Sequence, residues 1–95
     1  MSTNLDRSVI EQRWRSRGFS CELWVDGPGQ VWADFVHATD ELVLVLSGDV
    51  EFEFGGAVHH PACGEELRIP AGVRHTVRNR GSHSEWLYGY QRAST

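Results

Sequence analysis

Apolar and polar residues follow two different periods along the chain, and the change falls near residue 18. In the segment 3–17, TNLDRSVIEQRWRSR, Leu5, Val9, Ile10 and Trp14 recur at the spacing of one helix face. Thr3 followed by Asp6 resembles a capping box, and acidic residues come early with arginines late, as the helix dipole favours. Gly18 is a natural stop. One short N-terminal α-helix is therefore expected within residues 1–18.

From Phe19 the pattern changes to short strands separated by turn signals, as in an all-β sandwich or barrel occupying residues 19–95. Asp-Gly-Pro-Gly at 26–29 reads as a turn, followed by the strand QVWADFVH. ELVLVLS is the next strand, and Gly48-Asp49 opens a tight turn into VEFEF. There Val50, Phe52 and Phe54 face one way and Glu51 and Glu53 the other. Gly55-Gly56 supplies the positive φ values of a hairpin turn. EELRIP, HTVRN and SEWLYGYQ are the later strands, with no long linker and no second domain.

Leu42 to Leu46 differs from VEFEF because both faces are apolar. If Glu41 points inward, so do Val43 and Val45, which leaves Leu42, Leu44 and Leu46 as an outer row. Such a row needs a cover, either the N-terminal helix or a second subunit. The second subunit is favoured, because a small domain gains most from added burial, and a homodimer is expected.

Composition narrows the classes. With 95 residues, 40% hydrophobic and 23% charged, the chain is an ordinary globular domain. Net charge is −4, with no lysine, which argues against a nucleic-acid partner. No apolar run reaches the ~20 residues of a membrane helix, and no apolar signal core precedes residue 20, so a cytoplasmic protein with no membrane partner is expected. Cys21 and Cys63 form no CxxC pair and read as reduced thiols, Cys63 in a loop.

Chemistry concentrates in FVHATDE, residues 35–41, where His37 and Glu41 flank Ala-Thr-Asp. A bend there would aim both side chains into one cavity. His75 follows the Pro70–Gly72 turn and opens the next strand. Two imidazoles and one carboxylate match the facial set used for divalent iron and equally suit zinc, nickel or manganese. Without a metal, a buried Glu41 would need an arginine, Arg68 or Arg74 being the candidates. His59-His60 read as a surface connection, and Asn79 as a residue that fixes backbone hydrogen bonds.

The spacing of these residues resembles the cupins, whose two motifs are written G-x5-H-x-H-x3–4-E-x6-G and G-x5-P-x-G-x2-H-x3-N. Gly29, His37, Glu41 and Gly48 satisfy the first, with Phe35 in place of its first histidine. Gly64, Pro70, Gly72, His75 and Asn79 satisfy the second without departure. Nine of ten specified positions agree over residues 29–79. The resemblance implies a cupin-type β-barrel, the double-stranded β-helix or jelly-roll, with a divalent metal held by His37, Glu41 and His75.

Trp86, Tyr88 and Tyr90 alternate and so share a face, as barrel core, dimer contact or ligand wall; Trp24 and Trp32 raise the same alternatives. Phe35, Arg74, Trp86 and Tyr88 are the expected substrate-pocket residues, with Arg74 placed to meet a carboxylate. Three functions follow: a metal-dependent catalyst of oxygenase, isomerase or hydrolytic type on a small organic molecule, a non-catalytic small-ligand sensor, or a metal-free structural cupin in which Phe35 fills the metal space. No phosphate loop, nucleotide fingerprint or nucleophile–histidine–acid set points to another enzyme class.

Overall fold

The computed structural model describes residues 6–92. It contains one helix, α1 (Arg7–Ser16), and eight strands: β1 (Glu22–Asp26), β2 (Val31–Phe35), β3 (Glu41–Ser47), β4 (Val50–Phe54), β5 (Ala57–His59), β6 (Glu66–Ile69), β7 (His75–Asn79) and β8 (Ser84–Tyr90). They form two four-stranded antiparallel sheets, ordered β1-β8-β3-β6 and β2-β7-β4-β5. This is the all-β jelly-roll with one short helix that the hydrophobic pattern and the motif spacing imply.

The helix starts at Asp6, whose carboxylate accepts the backbone N–H groups of Ser8 and Val9. The expected cap at Thr3 lies outside the described residues. At the other end Gly18 takes φ 84, which an L side chain resists, and turns the chain into the barrel. The strands expected at ELVLVLS, VEFEF and HTVRN form at those residues, SEWLYGYQ forms as far as Tyr90, and β5 ends at His59, the first of the two histidines read as a surface connection.

The first sheet is apolar on both faces, and its alternation is strict. Val43 and Val45 of β3 and Trp86 of β8 point between the sheets, where they meet Val50, Phe52, Ile69 and Val77. Leu42, Leu44 and Leu87 point outward and are buried by Ile10 and Trp14 of α1, with Phe19 and Cys21. The helix, and not the expected second subunit, therefore covers the leucine row, which leaves that row no surface for a dimer contact. Trp14 is anchored by its indole N–H, which donates to Glu66 on β6 at 2.9 Å. Gly89 of β8 lies beneath this contact; a Cβ there would collide with the Ser20 carbonyl and press on the Trp14 ring. Among the described residues no helix is long and apolar enough to cross a membrane.

Candidate metal centre and its aromatic cavity

Local geometry brings the motif residues together. Strand β2 pairs with β7 so that Phe35 stands opposite His75, but the register slips between Trp32 and Phe35. Asp34, inside the slip, has φ 60, a left-handed conformation that aspartate tolerates better than most residues. Beyond Phe35 the chain leaves the second sheet, bends at residues 38–39 and enters the first sheet at Glu41. The Pro70–Gly72 turn is stitched to this connection: the Gly72 N–H donates to the His37 carbonyl at 2.8 Å and the Ala71 N–H to Asp40 Oδ1 at 2.7 Å. Arg68 adds an ion pair to Asp40 Oδ2 at 2.6 Å. The Ala71 N–H, and then Arg68, hold the Asp40 carboxyl below the usual carboxylate range.

The coordinating atoms of His37, Glu41 and His75 lie within 4.8 Å of one another, the one such group of three among the described residues. Glu41 is 4% exposed and His75 3%. Nε2 of His75 is 3.2 Å from Glu41 Oε1, and Nε2 of His37 is 3.7 Å from the same atom. Neither contact has hydrogen-bond geometry, and Oε1 is buried with no donor. The other His75 nitrogen, Nδ1, sits 3.3 Å from the Val73 carbonyl, which can only accept. Nδ1 therefore carries a proton, and when the ring is neutral the lone pair of Nε2 is turned toward the carboxylate. In that state two acceptors face each other, an arrangement completed by a proton or a metal cation. Burial lowers the His75 pKa, but Glu41 and the Val73 carbonyl outweigh it and leave the net value raised.

These residues fit a divalent ion. The donor set is two nitrogens and one oxygen, the carboxylate oxygen has no other partner, and His75 has the outer carbonyl contact that orients a ligand imidazole. The arginine partner expected for a metal-free Glu41 does not form: Arg68 is engaged by Asp40 and Arg74 is exposed.

Phe35 stacks on His37, with ring centroids 5.9 Å apart and planes 15° from parallel. Beside the three residues lies a cavity of about 220 Å³. Of the expected pocket residues, Phe35, Trp86 and Tyr88 line it, and Arg74 does not. Trp24, Trp32 and Tyr90 complete its aromatic wall. The expected pocket set lacked these three, although the alternation of β8 placed Tyr90 on the correct face. Its hydroxyl is 3.3 Å from His37 Nε2, and burial, with Glu41 and Tyr88 nearby, pushes its pKa up to about 12. Asp26, read from the sequence as part of a turn, is instead a buried carboxylate that accepts three indole N–H groups. Asn79 does fix backbone groups: its amide donates to the Gly27 carbonyl at 2.6 Å and accepts the Gly81 N–H at 3.2 Å.

Comparison with known proteins gives this geometry its context. No curated protein matches the sequence. Among solved structures, a cupin superfamily protein from Desulfitobacterium hafniense superposes with TM-score 0.72 at 19% identity, covering 79% of this chain and 68% of that one. A cupin 2 conserved barrel domain protein from Salinispora arenicola gives 0.70 at 23% identity, over 80% and 65% of the two chains. A proposed mannose-6-phosphate isomerase from Ralstonia eutropha gives 0.67 at 28% identity, over 81% and 77%. The first two likenesses show the fold alone. The family profile described as the cupin domain matches residues 22–88, well over half of the sequence, and the chain belongs to the cupin family.

Proposed function

We propose that the protein is a small metal-dependent cupin that binds a divalent cation through His37, Glu41 and His75 and holds a small organic molecule in the adjoining aromatic cavity. The observation that carries this reading is Glu41 Oε1, a buried carboxylate oxygen with no donor, 3.2 Å from an imidazole nitrogen whose ring is oriented from behind by a carbonyl. A buried acceptor left unpaired costs about 1–3 kcal/mol, and a bound cation would satisfy it. Iron, zinc, nickel and manganese all suit the donor set.

When bound, the ion would supply Lewis acidity and open positions for water or a ligand, because only three protein groups reach it. The chain's own residues then have separable tasks. Glu41 provides the anionic ligand atom. Val73 keeps the His75 ring in one tautomer, and the Gly72 bond to the His37 carbonyl fixes the backbone of the second imidazole. Tyr90, with its pKa pushed up to about 12, keeps a proton on its phenolic oxygen beside His37 and can hydrogen-bond to a ligand. The aromatic wall would give the space next to the ion a mostly apolar lining. Oxygenation, isomerisation and hydrolysis are the reaction classes compatible with this constellation.

Elemental analysis of the purified protein tests the reading, with His75→Ala and Glu41→Gln as controls. About one divalent ion per chain is expected in the parent protein, with loss in both variants. Equal metal content in all three refutes the site. A second reading, a metal-free small-ligand binder, is favoured by one observation, the near-parallel stack of Phe35 on His37 where a further imidazole would stand in the family motif. Absence of metal from folded protein after growth in supplemented medium would favour it. The proposal includes a cytoplasmic homodimer, on the general ground that a small domain gains most from added burial. Light scattering at micromolar concentration tests this, a monomer refuting it.

A further inference from the structure

Asp26 closes β1 and is only 3% exposed. Its Oδ1 accepts the indole N–H groups of Trp24 at 2.8 Å and Trp32 at 3.0 Å, and its Oδ2 accepts that of Trp86 at 3.1 Å. An indole has a single polar group, its N–H donor. All three donors are committed to Asp26, which does not itself border the cavity that the three rings line. Whether a ring turns its face or its edge to that space, it presents only carbon and the hydrogens on carbon.

The strand registers separate this carbon surface from the polar groups. Trp24 pairs with Trp86 and Trp32 with Val77, which makes one end of the cavity. Tyr90 pairs with Glu41 and Phe35 with His75, which makes the other. Tyr88, opposite Val43, stands between them. The cavity is therefore polar at the end of the candidate metal centre and without a free donor at the other. Its volume of about 220 Å³, about seven water volumes, admits a six-membered ring with one substituent. A divalent ion held by two neutral imidazoles and one carboxylate would keep one positive charge, which one anionic head balances. A dianion would exceed that charge and meet no further cation, because no arginine lines the space and the chain contains no lysine.

We propose that the cavity takes a small monocarboxylic acid end-on, its carboxylate at the metal end and an unsubstituted hydrocarbon body against the indoles. Asp26 sets the preference for such a body by withholding the three N–H groups. The inference rests on the reading of this cavity as a ligand site beside a metal. An acceptor atom in the body of the ligand would lose its water at the indole end and find no donor. Asp26 is a positioning residue in this scheme, since it acts through the indoles.

The test uses three probes of nearly one shape. They are cyclohexanecarboxylate, oxane-4-carboxylate, in which the far ring CH2 is an ether oxygen, and cyclohexylmethanol, which lacks the charge. Each is titrated at constant ionic strength into the full chain carrying the metal with which it is purified. Tryptophan fluorescence reports binding, because three of the four tryptophans line the cavity. Cyclohexanecarboxylate is expected to bind about tenfold or more tightly than the oxane acid, the effect of leaving a buried acceptor unpaired. It should also bind more tightly than the alcohol, an advantage lost after chelation of the metal. Asp26→Asn keeps the shape but exchanges one acceptor oxygen for a donor, so at least one indole N–H is released. The preference over the oxane acid should then fall to about threefold or less, whereas a general loosening of the fold would weaken both acids alike. Equal binding of the two acids to the parent protein, or of the acid and the alcohol, overturns the inference and leaves the cavity as a ligand site. An unchanged preference in folded Asp26→Asn overturns the role of Asp26. Binding of none of the three overturns both the inference and the ligand site. If Asp26→Asn fails to fold, the comparison of probes on the parent protein decides alone.

Discussion

The two faces of the β1-β8-β3-β6 sheet are built from the same strands and treated in opposite ways. On the outer face, Leu42, Leu44 and Leu87 are closed over by Trp14 and Ile10 of α1. On the inner face, toward the start of β3 and the end of β8, the side chains are larger but the space is not filled: Glu41, Tyr88 and Tyr90 border a cavity of about 220 Å³. The outer face is held mainly by apolar contact, with the Trp14 indole bond to Glu66 at its margin. The inner face is held by polar groups that fix aromatic rings at a distance, Asp26 on three indoles and Tyr90 on His37. Stability is concentrated on one side of the sheet and an open, partly unsatisfied site on the other.

The contrast breaks most sharply on the outer face. Trp14→Ala should remove about 3–5 kcal/mol of stability, the usual cost of deleting a fully buried large aromatic, read by denaturant unfolding. It also frees Glu66 from its indole partner and uncovers Leu42 and Leu44, so concentration-dependent self-association should accompany the loss. A change below about 1 kcal/mol would show that the helix is a loose cover rather than part of the core. On the inner face the sign reverses. Glu41→Leu removes a buried oxygen with no donor, and in the presence of a chelator it should raise stability by about 1–3 kcal/mol while abolishing metal uptake. A destabilised Glu41→Leu protein in chelator would mean that the carboxylate is satisfied without a metal.

The same contrast explains what could be read from the chain. Alternation in VEFEF and SEWLYGY fixes which side chains face inward, because the period of a strand admits no other arrangement. The motif spacing placed His37, Glu41 and His75 together even though a bend at residues 38–39 separates the first two, a feature that periodicity alone does not supply. The cover of the leucine row was misassigned because helix amphipathicity says that a stripe will be buried, not which surface buries it. The role of Asp26 was hidden for a similar reason. Trp24, Trp32 and Asp26 are near in sequence, but Trp86 is 60 residues further on, and only the fold shows that the carboxylate is shared. A buried aspartate beside Gly-Pro-Gly has the same sequence signature as a turn residue.

A change of smaller expected size sharpens the metal site. Phe35 stands opposite His75 in the β2–β7 register, with its ring 5.9 Å from His37 and 6.0 Å from His75. Phe35→His would offer a third imidazole and should tighten zinc binding by about tenfold or more, measured by competition with a chromophoric chelator. Unchanged affinity would place the Phe35 side chain outside the coordination sphere, despite its register with His75.

The smallest effect concerns the two thiols, which report on the sealed face and on the surface. Cys21 is buried under α1, and burial, more than the nearby Glu11, pushes its pKa up to about 11, whereas Cys63 is exposed. A disulfide-exchange reagent at neutral pH should therefore titrate one thiol quickly and the second only on the timescale of unfolding. The linkage has a definite sign. A thiol held protonated in the fold and freer to ionise when unfolded contributes stability that is whole below its ordinary value of 9.0 and is lost as pH rises toward about 11. Denaturant midpoints should decline across that window in the parent protein and decline less in Cys21→Ala, after the smaller side chain's own cost is subtracted at pH 7. Rapid modification of both thiols at neutral pH would mean that α1 opens readily, and the rigid outer face would then be no more tightly held than the cavity it backs.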